Sequence, residues 1–145
     1  MNRVEIVVPD DFPIAYGSPD HPELARLRVY GEVVTHTTRY ADRAEFFERI
    51  GDAEVVINVR AYSTFDEQAL ERAPKLRMIS VLGVGTDNID LAAARRRGVT
   101  VINTPHLGGV TAESNVRSNK IPVDNIIAFL EGRPQNVVNP ELLQG

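Results

Sequence analysis

The sequence predicts an α/β fold, one doubly wound sheet of five parallel strands with helices on both faces. Two observations carry that expectation. Five short apolar runs rich in valine and isoleucine recur along the chain, and the segments between them carry helix punctuation. Strands this brief, with few polar interruptions, suit a sheet covered on both sides, and parallel neighbours need helical crossovers.

The strands are expected over residues 3–8, 32–36, 54–59, 78–82 and 99–102. Asp42-Arg43-Ala44-Glu45 and Thr64-Phe65-Asp66-Glu67 each set a short polar residue three positions before a glutamate, the pattern of a reciprocal helix cap begun by Asp42 and by Thr64. Residues 91–97 are alanine-rich and end in Arg95, Arg96 and Arg97, cations that complement the helix dipole, before Gly98, which can take the left-handed C′ conformation. A last helix is expected over 111–131, with Val123, Ile126, Ile127 and Leu130 on one face and Pro122 kinking or splitting it.

Five such units suit the flavodoxin-like strand order 2-1-3-4-5, with its switch point between the first and third strands. Ligands then sit beyond the carboxyl ends of the strands, at loops 9–17, 60–63 and 83–87. Arg60 and the glycine loop are expected to face one crevice.

A length of 145 residues fits a single domain with one sizeable core. Apolar residues at 43% and charged ones at 25% place it among ordinary globular proteins. The net charge of −4 and scattered cations speak against nucleic acid as a partner. No apolar run reaches bilayer length, and Met1-Asn2-Arg3-Val4-Glu5 does not begin a signal peptide. The absence of cysteine excludes disulfide and thiolate chemistry and suggests a cytoplasmic home. Three histidines without a cluster leave no metal site to expect. His21 and His36 fit no motif and read as incidental.

Gly83-Val84-Gly85-Thr86-Asp87-Asn88 lies between a strand and a helix, as a dinucleotide fingerprint would. It is not one. Asn88 stands where the third glycine packs helix on strand, and no acid follows near Asn103 to hold a ribose. Two readings stay open: a tight turn needing positive φ, and a nest of backbone N–H groups for an anion. Arg60, at a strand end beside the same crevice, admits the plain reading of a solvated charge.

Val55-Val56-Ile57-Asn58-Val59-Arg60, Ala73-Pro74-Lys75-Leu76-Arg77-Met78-Ile79, Leu82-Gly83-Val84-Gly85-Thr86-Asp87-Asn88-Ile89-Asp90, Arg97-Gly98-Val99 and Val101-Ile102-Asn103-Thr104-Pro105 occur in that order. Together they resemble the substrate domain of the D-isomer-specific 2-hydroxyacid dehydrogenases. The resemblance implies that the amides of Val84 and Gly85 bind the carboxylate of a small 2-hydroxy or 2-keto acid, and that Arg60 lies in a second substrate-facing loop. Pro105-His106-Leu107-Gly108-Gly109 resembles a motif that follows the cofactor domain in that family, and residues 124–140 resemble its C-terminus. The resemblance therefore implies one substrate-binding domain built from residues 1–105 and 106–145, joined near Thr104-Pro105 where a dinucleotide domain is excised. His106 matches the family's acid/base, here vestigial, while Gly108 and Gly109 match a stretch near the nicotinamide. No cofactor is expected in these residues, although the parent enzymes use NAD or NADP. The chain is expected to be inactive alone, and a monomer.

A receiver-like signalling module of the same shape is the alternative. Asp10 and Asp11 follow the first strand, where such modules keep an acidic pair for Mg²⁺. Asn58 and Arg60 occupy the place of an acceptor aspartate, and no lysine precedes Pro105, so the acidic pair reads as a solvated turn. A flavin-binding flavodoxin is weaker still, lacking tryptophan and a Ser/Thr-rich first loop.

Overall fold

The computed structural model describes residues 3–83, 85–103 and 112–138, the stretch 112–118 as backbone alone. Five parallel strands, β1 (Val4–Val8), β2 (Gly31–Thr35), β3 (Val55–Asn58), β4 (Met78–Val81) and β5 (Thr100–Ile102), form one sheet in the order β2-β1-β3-β4-β5. This is the predicted fold class and order, with strand ends within one residue of expectation.

Strand alternation divides the core. Val7, Val56, Ile79 and Val101 face one side, under α2 (Arg43–Ile50), α3 (Glu67–Glu71) and α4 (Leu91–Arg96), which contribute Phe46, Ile50, Leu70 and Ala93. Ile6, Val8, Ile57, Met78 and Ile102 face the other, against Leu24 of α1 (Pro22–Ala25), Leu27 of the 3-10 turn Arg26–Val29, and Val123 and Ile126 of α5 (Ala112–Leu130). Burying each Val or Ile side chain contributes about 2 kcal/mol, so the alternation alone forces a helical layer onto each face. The segment after α5 covers the β5 edge: Val137 bridges antiparallel to Ile102, and the Val138 N–H donates to Val101 O at 2.7 Å.

The helix ends follow local chemistry, with corrections to the sequence reading. Asp42 caps α2, its carboxylate accepting from the Glu45 N–H at 2.9 Å, as expected. Gly98 has φ +71° just past α4, also as expected. Thr64 is not the cap of α3. Asp66 is, accepting from the Ala69 N–H at 2.9 Å. The reason lies in Phe65, fully buried and extended, whose N–H donates to Asn88 O and whose carbonyl accepts from the Asp90 N–H, so the helix starts after it. His21 is not incidental: its Nδ1 accepts from the Glu23 N–H at 3.0 Å and caps α1, a helix the sequence reading did not include. Pro122 does not split the last helix. α5 runs through it as one element, fastened where the Ser80 hydroxyl donates to the Pro122 carbonyl at 2.9 Å and Val123 and Ile126 are buried on the sheet.

Gly31 opens β2 against β1, and a Cβ there would stand 1.9 Å from the Val4 carbonyl oxygen. Backbone on backbone cannot yield cheaply, so Gly31→Ala is expected to lower unfolding free energy by about 3 kcal/mol or more, read by urea denaturation.

Candidate functional site

Beyond the carboxyl ends of β3 and β4 lies a cleft of about 380 Å³ lined by Ala61, Thr64, Gly85, Asp87 and Asn88, with no lining residue from loop 9–17. Gly83 begins the turn after β4 with φ +135°, a conformation that L side chains rarely adopt, and Gly85 beyond it is exposed with open space around its Cα. The turn thus presents bare backbone to the cleft. Val84 lies outside the described residues, as do His106, Gly108, Gly109 and the Thr104-Pro105 join.

The Arg60 loop and the glycine turn share this cleft through Ala61, Thr64 and Gly85. The Arg60 side chain itself does not line it. Its Nε donates to the Pro13 carbonyl at 3.1 Å, and Nη2 shares that acceptor. This acceptor is neutral, and among the described residues no carboxylate pairs with the guanidinium, so its charge stays available to an anion. Beside it the Tyr62 hydroxyl donates to Phe12 O at 2.7 Å, and Arg39 lies over the Tyr62 ring at 4.2 Å.

Asp10 and Asp11 overturn the reading of a solvated turn: both are fully buried. Asp11 accepts from the N–H groups of Ala15, Tyr16 and Gly17 and so folds the 11–17 loop. Asp10 accepts from Asn58 Nδ2 at 2.7 Å, the Val59 N–H at 3.0 Å and the Arg60 N–H at 3.3 Å, with the Ser63 hydroxyl as a further donor. Burial pushes the Asp10 carboxyl above the usual range, against these hydrogen bonds, which favour its charged form. A loop that ran over the surface would leave these acids solvated; here the switch point between β1 and β3 draws them inside. The signal in the sequence was Asn58, a polar residue within an apolar run buried on both faces, which must find partners.

The glycine turn does not fit a dinucleotide. The N-terminus of α4 is already met by a carboxylate, since Asp90 accepts from the Ala93 N–H at 2.9 Å. A pyrophosphate would face that charge. Asn88, in place of a packing glycine, spends both amide hydrogens on Asn58 Oδ1 and Ser63 O. The turn thus lacks the open helix N-terminus and the packing glycine that a pyrophosphate uses. Among the described residues no three His, Cys, Asp or Glu side chains gather as metal ligands, and no helix is long and apolar enough to cross a membrane.

On the α2 side, a second hollow of about 340 Å³ is lined by Glu5, Val7, Val34, His36, Glu45, Glu48 and Arg49. Burial, and then the Arg49 charge, hold the His36 imidazole below its ordinary pKa. The unfolded chain therefore binds this proton more readily than the fold does, and His36 stabilises the fold above about pH 6.5, a contribution lost as pH falls through its depressed folded value. Urea titrations at pH 7 and 5 are expected to show a smaller loss of stability in His36→Gln than in the parent. Asp10→Ala, which strands the Val59 N–H and one Asn58 amide hydrogen as buried donors, is expected to lower unfolding free energy by about 3 kcal/mol in the same measurement at pH 7.

Residues 13–139 match the model of the D-isomer specific 2-hydroxyacid dehydrogenase catalytic domain. D-3-phosphoglycerate dehydrogenase of Methanocaldococcus jannaschii is 38% identical over 80 residues, which are 55% of this chain and 14% of that protein. Hydroxypyruvate reductase of Blautia hydrogenotrophica is 30% identical over 106 residues, 72% of this chain and 31% of that protein. The crystal structure of NAD⁺-bound 3-phosphoglycerate dehydrogenase from Entamoeba histolytica aligns with a TM-score of 0.56 at 27% identity, over 72% of this chain and 33% of that one. The chain thus spans between 14% and 33% of the length of these three proteins. With nearly its whole length matched, it belongs to the D-isomer-specific 2-hydroxyacid dehydrogenase family, over the catalytic domain.

Proposed function

We propose that these residues form the substrate-binding half of an NAD(P)-dependent D-2-hydroxyacid dehydrogenase, as one domain built from segments 1–105 and 106–145. The reaction is the reversible oxidation of a small 2-hydroxy acid to its 2-keto acid. The observation that carries this reading is the turn at the end of β4, where positive-φ Gly83 and exposed Gly85 open bare backbone to a cleft shared with the Arg60 loop. Val84 and Gly85 offer their amides to the substrate carboxylate, and Arg60 exchanges the neutral Pro13 carbonyl for the negative charge of the substrate. His106 serves as acid/base in the assembled enzyme, with Gly108 and Gly109 beside the nicotinamide. An imidazole is suited to that role because its ordinary pKa of about 6.5 lies near working pH.

Hydride transfer requires a dinucleotide-binding domain, and nothing in the glycine turn supplies one. The 145 residues alone act as a monomeric binder in the cytoplasm, not as a catalyst. Without an opposing domain the cleft stays wet, where a charged contact is worth about 1 kcal/mol, so binding is weak.

Two measurements test this. Titration of glyoxylate into the ¹⁵N-labelled chain is expected to shift the Gly85 amide and the Arg60 side-chain resonances, and flat spectra at both would sink the binding role. Incubation with glyoxylate or hydroxypyruvate and NADH or NADPH is expected to give no oxidation of the nicotinamide. Turnover that scales with protein and vanishes in His106→Ala would overturn the claim of inactivity.

A further inference from the structure

The two walls of the cleft are joined by buried side chains. The Asp10 carboxylate, at the carboxyl end of β1, holds the main-chain N–H groups of Val59 and Arg60 and the Asn58 amide. Asn58, at the end of β3, passes the chain on: its Oδ1 accepts from Asn88 Nδ2 at 2.9 Å, and its own Nδ2 also donates to the Arg60 carbonyl at 2.9 Å. Asn88 sits in the glycine turn, and its Nδ2 donates at 2.7 Å to the Ser63 carbonyl in the loop that carries Arg60. One connected set of hydrogen bonds thus runs from β1 through β3 to the turn that presents Gly85.

Two features set this set apart from ordinary core satisfaction. Asp10 binds the backbone of Arg60 and leaves its guanidinium on a neutral carbonyl. A carboxylate so close to an arginine would ordinarily pair with the side chain and cancel the charge an anionic ligand needs. Burying the acid is also unfavourable, as the upward push on its carboxyl indicates, and a buried charge is weak evidence for stability but can fix a unique geometry. Asn88 then ties that geometry to the second wall, and both of its amide hydrogens are spent on the task.

We infer that Asp10, Asn58 and Asn88 are positioning residues that hold the Arg60 loop and the Gly85 turn in register, so that one carboxylate ligand engages both. The inference rests on the substrate-binding reading given above. None of the three touches the ligand. They act through the loops they fasten.

The test uses the labelled chain with glyoxylate as probe. Asn88→Ala is chosen because Asn88 makes no hydrogen bond to Arg60, so an effect there must travel through Asn58 and the Ser63 loop. In the ligand-free variant the Val59 and Arg60 amide resonances are expected to move, and glyoxylate affinity to fall about tenfold. Asn88→Ser, which keeps one donor, is expected to recover part of both signals, and it serves as the second variant should Asn88→Ala fail to fold. Ile50→Val, a core truncation at the end of α2, is expected to weaken the fold while leaving glyoxylate affinity and the Arg60 resonances unchanged. Parent-like Arg60 resonances and affinity in a folded Asn88→Ala chain overturn the inference, as does an equal affinity loss in Ile50→Val. A flat titration of the parent chain instead refutes the substrate-binding reading, and with it the role of the three residues, so the two failures are told apart.

Discussion

A parallel sheet buried on both faces cannot leave polar groups unpartnered along its strands, and the rest of this molecule follows from that constraint. Val7, Val56, Ile79 and Val101 lie under one helical layer, and Ile6, Val8, Ile57 and Ile102 under the other. Every polar group near the middle must therefore be satisfied internally or carried to a strand end. Asn58 is the point where the two demands meet: it ends β3, is buried, and gives its amide to Asp10 and Arg60 while accepting from Asn88. The cleft begins where the apolar alternation stops.

The same constraint shapes the glycine turn. Gly83 lets the backbone leave β4 at φ +135°, and Gly85 leaves its approach open. The helix that follows is short, and its first turn is already capped by Asp90. Electrostatics at that end are thus settled by the chain itself. What stays uncommitted to a carboxylate is the Arg60 guanidinium, whose main chain Asp10 holds from below. The match over residues 13–139 places this cleft within the catalytic domain of the D-isomer-specific 2-hydroxyacid dehydrogenase family.

Sheet order, strand identity and the caps at Asp42 and Gly98 were legible in the sequence, because alternation, β-branching and cap chemistry act over a few neighbouring residues. The glycine turn and Arg60 were legible too, since their place at strand ends follows from topology. Asp66 in place of Thr64 as a cap was not, because Phe65 is drawn into the core by Asn88 and Asp90, far along the chain. Neither was the burial of Asp10 and Asp11, nor the role of His21 at the start of a helix only four residues long.

The sequence by itself determined the class of fold, the order of its strands and the place of the glycine turn at the end of β4, all consequences of local periodicity and sterics. Tertiary structure alone decided that the acids after β1 face inward, that Pro122 sits within an unbroken helix fastened by Ser80, and that Asn58 and Asn88 bind the two walls together. For Asp10, Pro122, Asn58 and Asn88 the deciding hydrogen bonds join residues 30 to 50 positions apart. Such partners meet only when the sheet has formed, and in a buried setting an unpaired polar group is too unfavourable to leave without one.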